Sequence, residues 1–320
     1  MSSIYFRDRF LAIQENIEKY IRGNSETVRL ALICFFTQGH LLIEGVPGVA
    51  KTSLAKALAC SIGGSTAQRV QFTPDLLPTD ITGVEVFNQQ DMRFEFVAGP
   101  VFANILIGDE INRASPKTQS ALLQAMAERT VTVGRTTHDV PSPFFCVATQ
   151  NPIEHQGTYP LPEAQLDRFL MRVSIGYPAP HHERDVIAQG LSGARPEAVG
   201  AVLGLDEVPE LIQAATNVTV GDALCDYVVR IVTKTRTSPL VRLGASPRGA
   251  IALAAAAQVA AAARARRFTS PDDVKAMAVA VLAHRLLLTP EAAAQGATAS
   301  EVVQKILTEV PVPPQPDGSR

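Results

Sequence analysis

Gly45-Val46-Pro47-Gly48-Val49-Ala50-Lys51-Thr52-Ser53 places two glycines, a lysine and two hydroxyls within nine residues. That order suits one chemistry, the gripping of a phosphate chain. Glycines let backbone N–H groups wrap phosphate oxygens. A helix opening at Lys51 adds the partial positive charge of its N-terminus. Lys51 can reach β- and γ-phosphates, and the Thr52 hydroxyl can ligate Mg²⁺. The loop therefore implies ATP and Mg²⁺ as the bound pair. One position departs from the common pattern: Ala50 stands where a glycine usually precedes the lysine. An alanine fits there if it keeps a negative φ, as an early helical residue does.

A second run, Asn104-Ile-Leu-Ile-Gly-Asp109-Glu110, is apolar and ends in two acids. Following a phosphate loop, such an end supplies the other half of an ATP site. Asp109 is expected to hold Mg²⁺, and Glu110 to polarise the attacking water. A third apolar run ends in Ala148-Thr149-Gln150-Asn151-Pro152. Asn151 can orient the same water or touch the γ-phosphate, a role raised above that of an ordinary Asn-Pro turn only by the two earlier motifs. Three arginines follow. Arg113 comes just after the acids, and Arg168 lies in Leu166-Asp167-Arg168-Phe169. Arg248 lies in Ser246-Pro247-Arg248-Gly249, in the first turn of a predicted helix. The helix dipole disfavours an arginine at that position, so a phosphate partner would explain its placement.

These residues need elements to hold them. Residues 5–35 read as two amphipathic helices separated near Gly23–Ser25. HLLIEG is an apolar run ending at glycine, as buried parallel strands do, and KTSLAKALACS reads as the helix after the loop. Further strands are predicted at RVQFT, ANILIGDE, FFCVATQNP and MRVSIGYP, and helices at SPKTQSALLQAMAER and EAQLDRFL. Two alternating stretches, near 84–97 and 131–141, have the pattern of β-hairpins. Ser115, Ser246 and Ser270 each precede a proline and are candidate N-caps. Composition changes at Tyr177–Pro178, after which the chain is helical and alanine-rich. The expected division is an α/β domain at 1–178, a helical domain at 179–310 and a flexible, proline-rich tail at 311–320. The linking stretch 190–207 has no interpretable pattern.

Composition narrows the function classes. A net charge of −2 gives no pull toward nucleic acid or anionic membrane. No stretch reaches the ~18 strongly apolar residues of a membrane span, and the N-terminus lacks the apolar core of a signal peptide. The reading is a soluble, cytoplasmic protein. Cys34, Cys60, Cys146 and Cys225 are far apart, without zinc or redox spacing, and are expected to be free thiols. None of His40, His138, His155, His181, His182 and His284 has zinc-ligand spacing either.

Taken together, the motifs resemble the AAA+ ATPases and, among them, the MoxR family. The resemblance runs from about residue 22 to 310 through GHLLIEGVPGVAKT, RVQFTPDLLPTDITG, GPVFANILIGDEINRASPKTQSALLQAM, ATQNPIEHQGTYPLPEAQLDRF and GASPRG. That family tolerates alanine at the Ala50 position. It implies a P-loop NTPase core, a parallel sheet flanked by helices, followed by a smaller all-helical lid. It also implies that Lys51 and Thr52 are Walker A, Asp109 and Glu110 Walker B, Asn151 sensor 1 and Arg248 sensor 2. Arg168 matches the arginine finger that reaches a neighbour's ATP, with Arg172 as a rival. The two hairpins match the helix-2 insert and the pre-sensor-1 hairpin, which face the pore or rim of a ring.

What the resemblance implies for function is an ATP-hydrolysing ring, usually hexameric, that acts as a chaperone on a protein substrate. Such proteins often work with a partner carrying a von Willebrand factor A domain, and some help insert metal cofactors. Two other readings stay open: a nucleic-acid motor, or a nucleotide-gated switch with slow hydrolysis. Net charge counts against the first, as does the lack of an aromatic stacking residue in 131–141. The intact Glu110 counts against an ATPase that has lost its chemistry.

Overall fold

The structure, a computed structural model, describes residues 3–46, 49, 51–151, 157–193 and 195–313. Pro47, Gly48 and Ala50 of the phosphate loop, Pro152 and most of the predicted tail lie outside the described residues. The described part of the chain begins with α1 (Ser3–Glu18), α2 (Ser25–Phe36), β1 (Leu41–Gly45), α3 (Lys51–Ser61), β2 (Ile62–Gly63) and β3 (Ala67–Gln71). A short α4 (Pro78–Thr82) leads into the hairpin β4 (Gly83–Asn88) and β5 (Arg93–Ala98), then β6 (Ile105–Asp109) and α5 (Pro116–Glu128). A second hairpin, β7 (Thr130–Val133) and β8 (Thr136–Asp139), precedes β9 (Phe145–Gln150), α6 (Glu163–Leu166) and β10 (Met171–Ile175). After α7 (Pro180–Leu191) and β11 (Leu203–Gly204) come α8 (Val208–Thr216), α9 (Asp222–Thr237), β12 (Val241–Leu243) and α10 (Pro247–Ala262). The chain continues through α11 (Pro271–Leu282), β13 (Leu287–Leu288), α12 (Pro290–Ala294) and α13 (Ala299–Glu309).

Two compact units result. One comprises 12–169 and 173–209; the other comprises the start of the chain up to Leu11, Leu170–Arg172 and the chain from Glu210 onward. The expected boundary at 178–179 falls between β10 and α7, inside the first unit.

The first unit is built on a five-stranded sheet of order β10-β1-β9-β6-β3. β1 pairs with β9, β9 with β6 and β6 with β3, all in parallel. Parallel central strands bury both faces, and β6 does so along its whole length. The core on one side joins Leu42, Leu106, Cys146 and Ala148 of the sheet to Phe72, Leu122, Leu123, Met126, Phe144 and Phe169. The β6–β9 register, Ile107 opposite Val147 and Gly108 opposite Ala148, brings the polar ends of both strands to one edge of the sheet. That edge carries the candidate site.

The stretch left without a pattern in the sequence, 190–207, has a defined place. Its Pro196–Val199 turn packs on α3, and β11 pairs in parallel with β2. Asn16 on α1 donates to both the Ser61 hydroxyl (3.0 Å) and the Gly200 carbonyl (2.9 Å). The segment thus clamps the far end of the helix that opens at Lys51.

The second unit is helical. α10 lies along α11, and α9 and α13 complete the bundle. Alanines 252, 256, 257, 260 and 261 line the buried side of α10. Small side chains let helix axes approach closely, which explains the alanine-rich composition. Ser246 and Ser270 act as the expected N-caps. Ser246 accepts from the Gly249 N–H, and Ser270 forms a capping box with Asp273. Asp273 is fully buried and takes Arg264 at 2.7 Å and Arg266 at 3.1 Å.

Candidate functional site

β1 ends at Gly45 because the chain passes too close to β10 for any side chain. A Cβ there would meet the Ile175 carbonyl at 2.4 Å. The chain then turns into α3, which starts at Lys51. Lys51 Nζ donates to the Gly45 carbonyl at 2.6 Å and the Gln150 carbonyl at 3.3 Å, so the ammonium sits between the ends of β1 and β9. Val46 follows the strand, and Val49 is buried against the place a Gly45 Cβ would take.

Asp109, the last residue of β6, faces this point. Thr52 Oγ1 donates to Asp109 Oδ1 at 2.9 Å, and Thr149 Oγ1 donates to the same oxygen at 3.4 Å. Thr149 also accepts the Glu110 N–H at 3.0 Å, which ties β9 to the residue after β6. Glu110 has φ 58° and ψ 50°, the left-handed conformation. A non-glycine residue there is uncommon, and such positions cluster at functional sites. The turn aims the Glu110 carboxylate toward β3 and the following helical turn. Its Oε2 accepts from Gln71 at 2.8 Å and Arg113 at 2.9 Å. Asn151 is 4% exposed, at the end of β9.

Arg69, Gln71 and Thr149 were not singled out in the sequence. Alternation was the available signal. Arg69 and Gln71 are two apart on β3, and their registers are Ile107 and Asp109 of β6. One face of β3 therefore points at the acids.

A cavity of about 400 Å³ opens beside Lys51, Thr52 and Ser53. Its other walls include Tyr20, Arg22 and Asn24 from the α1–α2 link, and Val186 and Gln189 from α7. These wall residues also went unpredicted, because the link and α7 carry no phosphate-binding motif. Gly23 makes the arrangement possible. It has φ +76°, and a Cβ would come within 2.6 Å of the His182 ring on α7. Gln189 donates to the Lys19 carbonyl at 3.2 Å and holds α7 against the link.

Arg168 is engaged elsewhere in its own unit. Arg168 Nη1 donates to the Leu123 carbonyl on α5 at 2.8 Å. Arg172 lies on β10. Arg248 is exposed in the first turn of α10, in the helical unit. Both hairpins form as expected, with Phe87 opposite Phe94 and Asn88 opposite Arg93 near one tip and Gly134 in the turn of the other. Phe96 of the first stacks on His138 of the second, ring centroids 4.0 Å apart.

The site suits a magnesium nucleotide. Thr52 and Asp109 are hard oxygen donors in mutual contact, the donor set Mg²⁺ prefers. Mg²⁺ keeps several waters, so two protein oxygens are enough. Among the described residues no group of three or more His, Cys, Asp or Glu side chains could hold a metal. Among those residues, too, no helix is long and apolar enough to cross a membrane. Cys34 and Cys146 are buried and outside any disulfide, and burial pushes Cys146 up to about 12, so it stays protonated and inert.

Comparison with known proteins adds to this geometry. Residues 40–171 match the model of the ATPase family associated with various cellular activities (AAA), and residues 233–306 match an AAA lid domain. The chain is 46% identical to the Bacillus subtilis protein YeaC over 96% of its own length and 95% of that protein's. It is 44% identical to the chaperone MoxR1 of Mycobacterium tuberculosis, over 93% of its length and 80% of the relative's. A crystal structure of a putative ATPase from Cytophaga hutchinsonii superposes with a TM-score of 0.90 at 36% identity, covering 98% of this chain and 97% of that one.

Proposed function

Because the chain belongs to the MoxR family of AAA+ ATPases, we propose that it binds ATP with Mg²⁺ at the Lys51–Thr52–Asp109 site and hydrolyses it to ADP and phosphate. The observation that carries this reading is the contact network from Lys51 and Thr52 through Asp109 and Thr149 to Glu110. Residues from three strands and one helix converge there on the space beside α3.

Each residue has a task set by its chemistry. Backbone N–H groups of the loop, in which Pro47 alone has none to give, would wrap phosphate oxygens, and Lys51 would neutralise the β- and γ-phosphates. Thr52 and Asp109 would hold the metal, which when bound offsets charge on the phosphate oxygens. Glu110 accepts hydrogen bonding from the attacking water and draws its proton away. Gln71 and Arg113 meanwhile hold its Oε2. Asn151 orients the water. Tyr20, Asn24 and Gln189 offer a ring and two amides, the chemistry that receives a purine face and edge.

Membership of the family supports a ring reading. Arg168 acts as the finger for a neighbouring subunit's ATP, with Arg172 as the alternative, and Arg248 reaches the phosphates from the lid. A finger contributes ~10³–10⁵ in rate in known NTPases, so the isolated subunit is nearly idle. The chain assembles as a homo-oligomeric, hexameric ring in the cytoplasm and acts as a chaperone on a protein client. A partner with a von Willebrand factor A domain, and a role in metal-cofactor insertion, complete the proposal. The name of the relative MoxR1, a chaperone, supports the chaperone part of this reading. The test is ATP turnover with and without candidate client proteins, alongside Lys51→Ala. Client-stimulated turnover that Lys51→Ala abolishes is expected; turnover that survives Lys51→Ala removes the site assignment.

A further inference from the structure

Asp109 is the one acid of the site whose side chain is almost wholly buried, at 6% exposure, yet its second oxygen faces a cation supplied by the protein itself. Arg69 Nε donates to Asp109 Oδ2 at 2.6 Å. Oδ1 is taken by Thr52 and Thr149. A buried carboxylate without a partner is costly, so these three donors fix its orientation. Arg69 contributes the only full charge among them. Its own side chain is 52% exposed, on β3 at the edge of the sheet, so nothing in the core prevents the guanidinium from swinging out.

We propose that Arg69 is a built-in counter-cation for the metal carboxylate. It holds Asp109 aligned on Thr52 while no divalent ion is present, and it gives up Oδ2 when one arrives. The proposal rests on the reading of Thr52 and Asp109 as metal ligands. Arginine suits this task because it stays charged at any physiological pH, whereas a histidine would release Asp109 as pH rises. A single Nε contact, rather than a two-pronged one, keeps the pair exchangeable. The arrangement repeats one step along the strand, where Gln71, a neutral donor, holds Glu110. On β3 the charged donor thus faces the metal ligand and the neutral donor the catalytic acid, whose own charged partner, Arg113, comes from the turn that follows it. The consequence is a site that takes its metal reluctantly on its own and readily with a nucleotide, whose phosphates add the charge needed to displace Arg69. Arg69 is a positioning residue in this scheme.

The experiment is a Mn²⁺ titration of the ADP-loaded full-length protein, followed by the EPR signal of free Mn²⁺, for the parent, Arg69→Met, Arg69→Gln and Arg69→Lys. Removing a competing charge at contact distance on a half-exposed side chain should tighten Mn²⁺ binding about three- to ten-fold in the methionine and glutamine variants. The lysine variant should stay near the parent. Circular dichroism identifies any variant that fails to fold, and the glutamine variant carries the test if the methionine one does. Equal or weaker Mn²⁺ binding in both uncharged variants would overturn the counter-cation role. A parent that binds no Mn²⁺ with ADP would instead remove the metal assignment of Thr52 and Asp109 beneath it.

Discussion

The edge of the sheet and the paired hairpins hold their side chains in opposite ways. At the sheet edge, polar groups are buried and bonded to one another: Asp109, Thr149 and Asn151 are each 4% exposed or less. On the hairpins, apolar groups face outward: Met92 is 74% exposed and Phe94 67%. Phe96, two residues along the same strand, is wedged between His138 and Phe102. One region spends its order on chemistry, where a shift of a few tenths of an ångström matters. The other keeps contact surface available, and exposed apolar patches mark sites of interaction.

The sharpest way to break that contrast is Lys51→Ala. It should abolish measurable ATP binding by a fluorescent-nucleotide titration; unchanged affinity would show that the polar network is not a phosphate site. A finger variant follows. Arg168→Ala should lose most turnover, and mixing it with Lys51→Ala subunits should restore part, because an intact pocket then meets an intact finger. No recovery at any ratio would move the role to Arg172 or remove it. In the helical unit, Asp273→Ala strands Arg264 and Arg266 and removes the Asp273 half of the α11 capping box. The expected loss is about 2–3 kcal/mol by denaturant unfolding, below the usual cost of breaking a buried pair because both arginines are more than a third exposed. A loss under half a kcal/mol would mean the pair is structurally idle.

The hairpin phenylalanines give the smallest and most discriminating pair. Phe96→Ala should cost about 1 kcal/mol through its lost ring contacts. Phe94→Ser should change stability by less than about 0.5 kcal/mol, as exposed positions do. The client-stimulated share of turnover should nevertheless fall in Phe94→Ser. If Phe94 proves the more costly for folding, the division between a wedged base and a free tip is wrong.

Much of this was readable before any coordinates. The fold is a P-loop AAA+ α/β core with a helical lid, as the motif order implied. The gathering of Lys51, Thr52, Asp109 and Glu110 at one end of the sheet was legible because phosphate chemistry demands particular residue types at fixed spacing from strand ends. Ser115, Ser246 and Ser270 were legible because capping is local. Arg69 and Gln71 were not, since their role depends on β3 pairing with β6 in one register. Tyr20, Asn24 and Gln189 were hidden for a similar reason: α7 meets the α1–α2 link through the close approach at Gly23 and the Gln189 bond to the Lys19 carbonyl, neither of which has a local signal. The 190–207 stretch has no periodicity because it forms a short turn and a two-residue strand that follow the surface of α3. In each case a contact distant in sequence set the outcome.

The most direct test of the account is ATP turnover per subunit across a range of protein concentrations, with Glu110→Gln as the blank. The account predicts specific activity that rises steeply with concentration, as pockets acquire neighbours, while the blank binds ATP and stays silent. A parent rate no higher than that of Glu110→Gln at every concentration would contradict it.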